Sequence, residues 1–520
     1  MRKRFDLAIV GSGFAGSLTA MIARRLGRSV ILLERGKHPR FAIGESSTPL
    51  ANLLLEEIAE RYDLPAIRPL SKWGTWQQAC PELPCGLKRG FTFYHHALGQ
   101  PDAPDPEHKR QLLVAASPHD RIADTHWYRA DFDDFLLRQA QKLGAEYFDE
   151  TVMQSVVLLP DAVELNGARH GHSVSIEAEF LVDASGPRGF LHRMLGLPEE
   201  RFPDYPATQA LYSHFSGVKR RDAIAPEKET PPYPVEDAAV HHIFSGGWVW
   251  MLRFNNGRVS AGVAATEKLG AELQLHQGEA AWHRLLERLP SLQEQFAAAR
   301  CEETFYYTPR LAFLSGVMHG ERWAMLPSAA GFVDPLLSTG FPLTLLGVLR
   351  LAEIFAECSR TSSARQAMLQ DYAGRTYAEL HATARLIAAL YANMDCFEVF
   401  SALSLLYFAA ASYSETARRL QKPELAQLFL LYDRPDFGPK CEEILKRARG
   451  PASEEEKAAL VQDVLRAIEP LDVAGLCRTD RRNWYPVEAE DLLRAASKVE
   501  ASKDEIVALL RRSGFEALPL

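Results

Sequence analysis

A chain of 520 residues can bury a large core, and its length suits two or three average domains or one large fold with an appended helical part. An apolar fraction of 47% with 24% charged residues excludes disordered, fibrous and membrane-embedded classes. A net charge of −8 without a long Lys/Arg block leaves no phosphate-neutralising surface, which excludes nucleic acid as a partner.

Residues 5–10 (FDLAIV) read as a strand, followed by a glycine turn, a helix to about Leu26 and a second strand ending at Glu34. The basic start before an apolar stretch imitates a signal peptide, but strand, turn and helix mark it as folded protein. Gly11-Ser12-Gly13-Phe14-Ala15-Gly16 is the G-x-G-x-x-G fingerprint in the strand-to-helix context that gives it weight. Gly11 permits the tight turn. Gly13, with Phe14 and Ala15, lets backbone approach a pyrophosphate at the helix N-terminus, and Gly16 allows close packing on the strand. Glu34 is expected on the ribose hydroxyls. Arg40 and the loop Gly44–Pro49, with Ser47, supply a second cofactor contact and favour FAD over NAD.

Residues 51–62 form an amphipathic helix, and 70–125, rich in Pro, Gly and aromatics, read as strands and loops over a pocket. A helix from Arg129 returns to a strand, and EFLVDASGPRGFL (179–191) is a strand running into a turn at Gly186. The stretch from about 205 to 320 is predicted to be a substrate-facing sheet, with a hairpin turn at Asn255-Asn256-Gly257. Strand, loop and long helix follow from Trp323, and everything after 362 reads as helical. The division is therefore an FAD-binding core over 1–361 and a helical region over 362–520 that covers the substrate pocket. The apolar segment Phe400–Tyr413 is too short to span a bilayer and is expected as a buried helix, so no membrane span is predicted.

Seven cysteines (Cys80, Cys85, Cys301, Cys358, Cys396, Cys441 and Cys477), never spaced C-x-x-C, argue against a disulfide framework or a structural zinc site. They suit a reducing cytoplasm, and no metal is expected. No second G-x-G-x-x-G follows a later strand, so no NAD(P)H domain is predicted. Reducing equivalents are expected as FADH2 from a separate flavin reductase.

Arg129, Phe132, Asp133 and Leu136 form an R-x-x-F-D-x-x-L pattern that resembles the flavin hydroxylase superfamily, whose arginine reaches the cofactor. Three further features resemble flavin-dependent halogenases. Gly247-Trp248-Val249-Trp250-Met251-Leu252-Arg253 is similar to the family's G-W-x-W-x-I-P, with both tryptophans kept and Ile-Pro replaced by Leu252-Arg253. Phe332-Val333-Asp334-Pro335-Leu336-Leu337-Ser338-Thr339-Gly340 matches F-x-x-P-x-x-S-x-G throughout, although Pro327-Ser328 stands where many flavoproteins carry Gly-Asp. Lys88, in Cys85-Gly-Leu-Lys88-Arg89-Gly90-Phe91-Thr-Phe93, resembles the segment that delivers the family's essential lysine; Arg89 and Lys72 are rival cations.

The resemblance implies an α/β, Rossmann-like FAD-binding fold and a relay in which reduced FAD, O2 and chloride or bromide form hypohalous acid by way of a flavin hydroperoxide. Lys88 then presents the halogen to the substrate. Ser338, Thr339 and Gly340 would cradle the halide, Asp334 and Pro335 would meet the cofactor, and Phe93, Trp248, Trp250 and Leu337 would wall the substrate pocket. Tryptophan-acting halogenases carry a glutamate where this chain has Leu337, so an activated phenol of resorcinol or phloroglucinol type is expected. Phenol-acting relatives share the approach Leu326-Pro327-x-Ala329-x-Gly331-Phe332 and the run from Gly247 to Asn256. A carrier-bound pyrrole or aryl thioester, a flavin monooxygenase acting on a phenol, and a flavoprotein scaffold or redox sensor are the alternatives. The oligomeric state, a homodimer included, stays open.

Overall fold

The computed structural model describes residues 3–102, 104–357, 362–450 and 453–515. The first 142 residues contain β1 (Lys3–Val10), α1 (Phe14–Arg25), β2 (Val30–Leu33), α2 (Pro49–Arg61), α3 (Trp73–Ala79), β3 (Cys85–Lys88), β4 (Gly90–His95), β5 (Gln111–Ala115), β6 (Asp124–Trp127) and α4 (Arg129–Lys142).

Parallel strands form the nucleotide-binding layer. β1 lies between β2 and the long strand His172–Asp183, with Trp323–Met325 beyond the latter and Glu146–Phe148 beyond β2. β1 and β2 carry near-continuous apolar runs because both faces of a central parallel strand are covered. At the end of β1 the chain turns through Gly11 at φ +103°, where a Cβ would stand 2.5 Å from the Ala184 carbonyl oxygen. A Cβ on Gly16 would come within 2.0 Å of the Gly11 carbonyl oxygen, so helix and turn meet backbone to backbone. This is the α/β, Rossmann-like arrangement expected from the glycine spacing.

A second, nine-stranded sheet runs in the order Arg300–Cys301, Thr208–Ser216, Val259–Thr266, Gly247–Arg253, Ala239–Phe244, β4, β5, Trp484–Tyr485, with Tyr306–Thr308 also paired to Thr208–Ser216. It is wider than expected, taking strands from residues 90–115 and from the C-terminal region that was predicted to be wholly helical. The stretch from 205 to 320 in turn contains helices that were read as sheet: Glu267–Leu273, Glu279–Glu287 and Pro290–Phe296. Their 3.6-residue period (Leu269 and Leu273; Ala281, Trp282, Leu285 and Leu286) is what covers the outer face of the sheet. Side chains therefore alternate along Gly247–Arg253, with Val249 and Met251 packing under those helices and Trp248, Trp250 and Leu252 joining the inner core.

Three long helices, Gly340–Ala356, Ser362–Ala392 and Phe397–Arg419, lead into the shorter C-terminal ones. The expected boundary at 361/362 adjoins residues 358–361, which lie outside the described residues, as does Cys358. The apolar helix is longer than the predicted 400–413: Phe397–Arg419, like Leu336–Ala356, is long and apolar enough to cross a membrane. Burial accounts for that composition, since 83% and 78% of the respective apolar windows are covered inside the fold.

Arg350 holds the first two of these helices together by a bidentate pair with Glu379, at 2.7 Å for both bonds, and Glu379 also accepts the Phe429 N–H at 2.9 Å. Glu379 is almost fully buried, so removing it strands a cation. Glu379→Ala is expected to destabilise the protein by about 3–5 kcal/mol, and Arg350→Met/Glu379→Leu should recover most of the lost thermal midpoint. A single-variant loss no larger than that of exposed Glu490→Ala, measured by thermal unfolding, would refute the assignment.

Candidate active site

A cavity of about 530 Å³ opens where the nucleotide-binding layer meets the inner face of the second sheet. Gly13, Phe14 and Ala15 line it at the start of α1, with Arg40, Gly44–Ser46, Arg129 and the turn Ala184–Arg188 beside them. The first N–H groups of α1 have no helical partners and face this space. Gly13 is the less crowded position of the fingerprint, since a Cβ there would meet side chains alone, Asp133 Oδ2 at 3.4 Å, Arg129 Nη2 at 3.5 Å and Arg40 Nη2 at 3.9 Å, all within ordinary contact.

Glu34 is engaged within the protein. It accepts from the Ser12 N–H at 3.1 Å, the Ser12 hydroxyl at 3.0 Å and the Gly36 N–H at 3.0 Å, and pairs with Arg40 at 3.2 Å. Burial pushes its carboxyl up, but Arg40 and the Gly36 and Ser12 amides outweigh that and hold it below the usual carboxylate range. Arg40 keeps a buried Nε with no partner among the described residues. The Arg129 guanidinium is committed to Asp133, at 2.7 Å through both Nε and Nη2, and to the Ile43 and Gly44 carbonyls, so it clamps the Gly44–Pro49 loop onto α4. An open helix N-terminus, an unpartnered arginine nitrogen and a glycine cradle fit the anionic pyrophosphate of FAD.

Trp248 and Trp250 share the inner wall of the cavity, their ring centroids 5.7 Å apart. Gly262, paired with Trp250, leaves room for the indole, since a Cβ there would lie 2.4 Å from it. The Trp248 indole N–H donates to the Tyr391 hydroxyl at 3.1 Å, which donates to Asp334 Oδ2 at 3.0 Å, and the Tyr205 hydroxyl adds a second bond at 3.2 Å. The tryptophan strand is thereby tied to the Phe332–Gly340 loop. Burial pushes the Asp334 carboxyl up to about 6, against the Leu336 N–H and the two tyrosines. Leu337 and Ser338 sit at φ +64° and +55°, a left-handed turn that delivers Ser338, Thr339 and Gly340 to the cavity at the start of the helix Gly340–Ala356. The Leu337 side chain is buried in the core and does not line the cavity.

Lys88 is fully buried. Its Nζ donates to the Ser46 hydroxyl at 2.9 Å and to the Ser47 carbonyl, and lies 3.7 Å from the centre of the Phe91 ring. Burial holds its ammonium well below the usual lysine range, opposed only by the Asp124 carboxylate. Ser46 lines the first cavity, whereas Phe91 lines a second one of about 180 Å³, and Lys88, which itself lines neither, is buried in the partition between them. Val114, Asp124, Tyr407 and Phe408 also line the second cavity. Phe93 reaches neither space; it is stacked on His241 at 4.5 Å and packed against Phe400 and Phe408. Arg89 points elsewhere, paired with Asp120 at 2.7 Å and with the Ser117 and Pro118 carbonyls, and Lys72 lies at the second cavity near Glu56.

Several residues of this site carry no sequence signal. Tyr205 and Tyr391 reach Asp334 across the fold, and Glu45 pairs with His214 at 2.9 Å under the first cavity. Asp124 faces Lys88 only because β3 and β6 pair antiparallel with those two residues in register.

The chain belongs to the FAD dependent oxidoreductases, whose family model matches residues 6–320. It is 31% identical over 351 residues to tetracycline 7-halogenase of Kitasatospora aureofaciens, and 31% identical over 356 residues to monodechloroaminopyrrolnitrin halogenase PrnC of Pseudomonas fluorescens. These alignments take in 65% and 67% of this chain but 61% of each relative's length. The crystal structure of halogenase PltM in complex with phloroglucinol and FAD superposes with a TM-score of 0.80 at 26% identity, covering 92% of this chain and 99% of that one. Within the oxidoreductases, the chain is a member of the flavin-dependent halogenase family, and its cofactor is FAD.

The glycine geometry makes a two-way prediction about that cofactor. Gly13→Val should leave the fold and its thermal midpoint nearly unchanged while weakening FAD binding at least about tenfold, equivalent to 1.4 kcal/mol. Gly16→Ala should lower both, because its Cβ meets backbone. Flavin fluorescence titration beside circular dichroism checks the pair, and unchanged FAD affinity in Gly13→Val would remove the pyrophosphate from this helix.

Proposed function

We propose that this protein chlorinates or brominates a small electron-rich phenol, with Lys88 passing the electrophilic halogen from the cofactor cavity to the ring. One observation carries the reading: a fully buried amine stands between the FAD cavity and a smaller, mostly apolar one. When bound, reduced FAD supplies, with O2 and halide, the hypohalous acid. The backbone N–H groups of Thr339 and Gly340 and the Ser338 hydroxyl hold the halide at a helix N-terminus, the Ser338 N–H donating instead to the Pro335 carbonyl at 3.1 Å. The two indoles wall the cavity and keep the organic substrate away from the flavin. Lys88 donates a hydrogen bond to the hypohalous acid, and its buried surroundings exclude the water that would dissipate it. Helix Phe397–Arg419, in the region 362–520, closes the second cavity with Tyr407 and Phe408.

A phenolic substrate is supported by Leu337 in place of an indole-polarising glutamate and by the likeness to a halogenase solved with phloroglucinol. A separate flavin reductase is part of the proposal, since no second dinucleotide fingerprint occurs in the chain. A reducing cytoplasm is its proposed setting.

The test supplies protein, reductase, NADH, FAD, bromide and isotope-labelled O2 to a panel of phenols, tryptophan and pyrroles, with products read by mass. Brominated phenol free of labelled oxygen is expected; labelled, bromide-independent product would make the protein a monooxygenase. Lys88→Met should abolish bromination while oxygen consumption and FAD binding persist. Full activity, or lost FAD binding, in that variant would remove Lys88 from the role.

A further inference from the structure

We propose that Asp124 is a second catalytic residue, which takes the hydroxyl proton of a one-ring phenol bound in the 180 Å³ cavity as the ring carbon takes halogen from the hypohalous acid held at Lys88. The inference rests on the halogenase reading above and names the base and the substrate size that go with it.

The geometry begins with register. Asp124 and Lys88 are directly opposite in the antiparallel pair of β3 and β6, so their side chains leave the same face. Each charge favours the other, but no direct ion pair joins them among the described residues, since Lys88 Nζ is bonded to Ser46 and Ser47. Asp124 Oδ1 accepts from the Asn52 amide at 2.9 Å, which fixes the carboxylate. The other oxygen, Oδ2, is buried without a partner among the described residues, although Asp124 lines the cavity. A buried, unsatisfied carboxylate oxygen is costly, and a hydroxyl donor from a bound ligand would satisfy it.

One part of the wall suits an aromatic ring, while Lys72, Glu415, Arg419 and Glu488 supply charge elsewhere along it. Phe91, Val114, Tyr407 and Phe408 give that part its apolar surface. An apolar cavity of about 150 Å³ takes up benzene, so 180 Å³ accommodates a substituted single ring. The groups facing Asp124 are Lys88 from β3, Asn52 from α2, and Tyr407, Glu415 and Arg419 from Phe397–Arg419. Burial, then Glu415, push its carboxyl above the usual range against Lys88, Asn52 and Arg419, bringing it toward the pH at which a base works best.

The step balances. The phenol O–H bond breaks, its proton goes to Asp124 Oδ2, and the electron pair moves into the ring. The ortho or para carbon forms a bond to halogen while the O–halogen bond of hypohalous acid breaks. The departing hydroxide takes a proton from the Lys88 ammonium and leaves as water. The neutral Lys88 amine then removes the ring proton, restoring aromaticity and its own charge, and Asp124 returns its proton to the phenolate oxygen.

The experiment compares wild type with Asp124→Asn on two phenols at pH 7, one weakly acidic and one carrying a nitro group that ionises it at that pH. On the weakly acidic phenol, Asp124→Asn should lose about a hundredfold or more in kcat, the scale of general-base catalysis; on the pre-ionised phenol the loss should shrink to a few-fold. FAD binding and halide-dependent oxygen consumption should be unchanged on both. If the variant is insoluble, Asn52→Ala, which releases the carboxylate, should show the same selectivity in weaker form. Equal loss on both phenols would mean a structural role and overturn the proposal, as would no loss. Should wild type halogenate neither phenol, both this inference and the halogenase reading fall; if wild type halogenates them and the selectivity is absent, only the role of Asp124 falls.

Discussion

Taking an ammonium out of water has an effective penalty of several kcal/mol even after relaxation, and the structure around Lys88 is arranged to offset it. Two oxygen acceptors, a hydroxyl and a carbonyl, come from the Gly44–Pro49 loop, and the face of Phe91 from β4. That loop would be free if it were not fastened. Arg129 grips its carbonyls from α4, the Trp127 N–H donates to the Glu45 carbonyl at 2.7 Å, and the Ser47 hydroxyl donates to the Thr125 carbonyl at 2.6 Å. The position of one amine thus depends on α4, β4 and β6 together, which is why it can stand between two cavities without an open path of water to it.

The same partition is braced from the other side. Trp248, Tyr391 and Asp334 form a hydrogen-bond chain from the second sheet, through the helix Ser362–Ala392, to the loop that precedes Gly340–Ala356. Each buried polar group in it has a partner, so the chain rigidifies rather than destabilises. The left-handed conformations at Leu337 and Ser338 are held by this chain and by the buried Leu337 side chain, which anchors the turn from beneath. A residue that reads in sequence as a wall of the substrate pocket is a foundation of the loop.

What was legible in the sequence follows the range of the forces involved. Gly11, Gly13 and Gly16 act through backbone within six residues, and the paired tryptophans through the two-residue period of a strand, so both could be read from the chain alone. Lys88 was legible by its aromatic neighbours in sequence, and Phe91 is indeed beneath it. Phe93, two residues on, points with the same alternation but is covered by His241 and Phe400 from other elements, which no local pattern reveals. The helices over 267–296 were missed because strand-forming residues on either side masked their period. Glu34 was read as a ribose ligand, yet its position beside Ser12 and Arg40 also makes it the organiser of the glycine turn, a duty set by spatial neighbours.

The division of the chain has a consequence for how such an enzyme diversifies. The oxidoreductase family model ends at residue 320, and the cofactor-side residues from Gly11 to Trp250 precede that point. The Phe332–Gly340 loop lies after it but is bound to the tryptophan strand through Tyr391, so it cannot move independently. Tyr407, Phe408, Glu415 and Arg419, by contrast, all project from the single helix Phe397–Arg419 onto the second cavity. Substitutions along one face of that helix reshape the cavity, and they reach the amine only through Phe91, on which Tyr407 and Phe408 pack edge-on. Lys88 and Asp124 are held in register by the strand pair β3 and β6, so changes in the helix alter the shape of the cavity while the backbone that carries these two residues stays where it is.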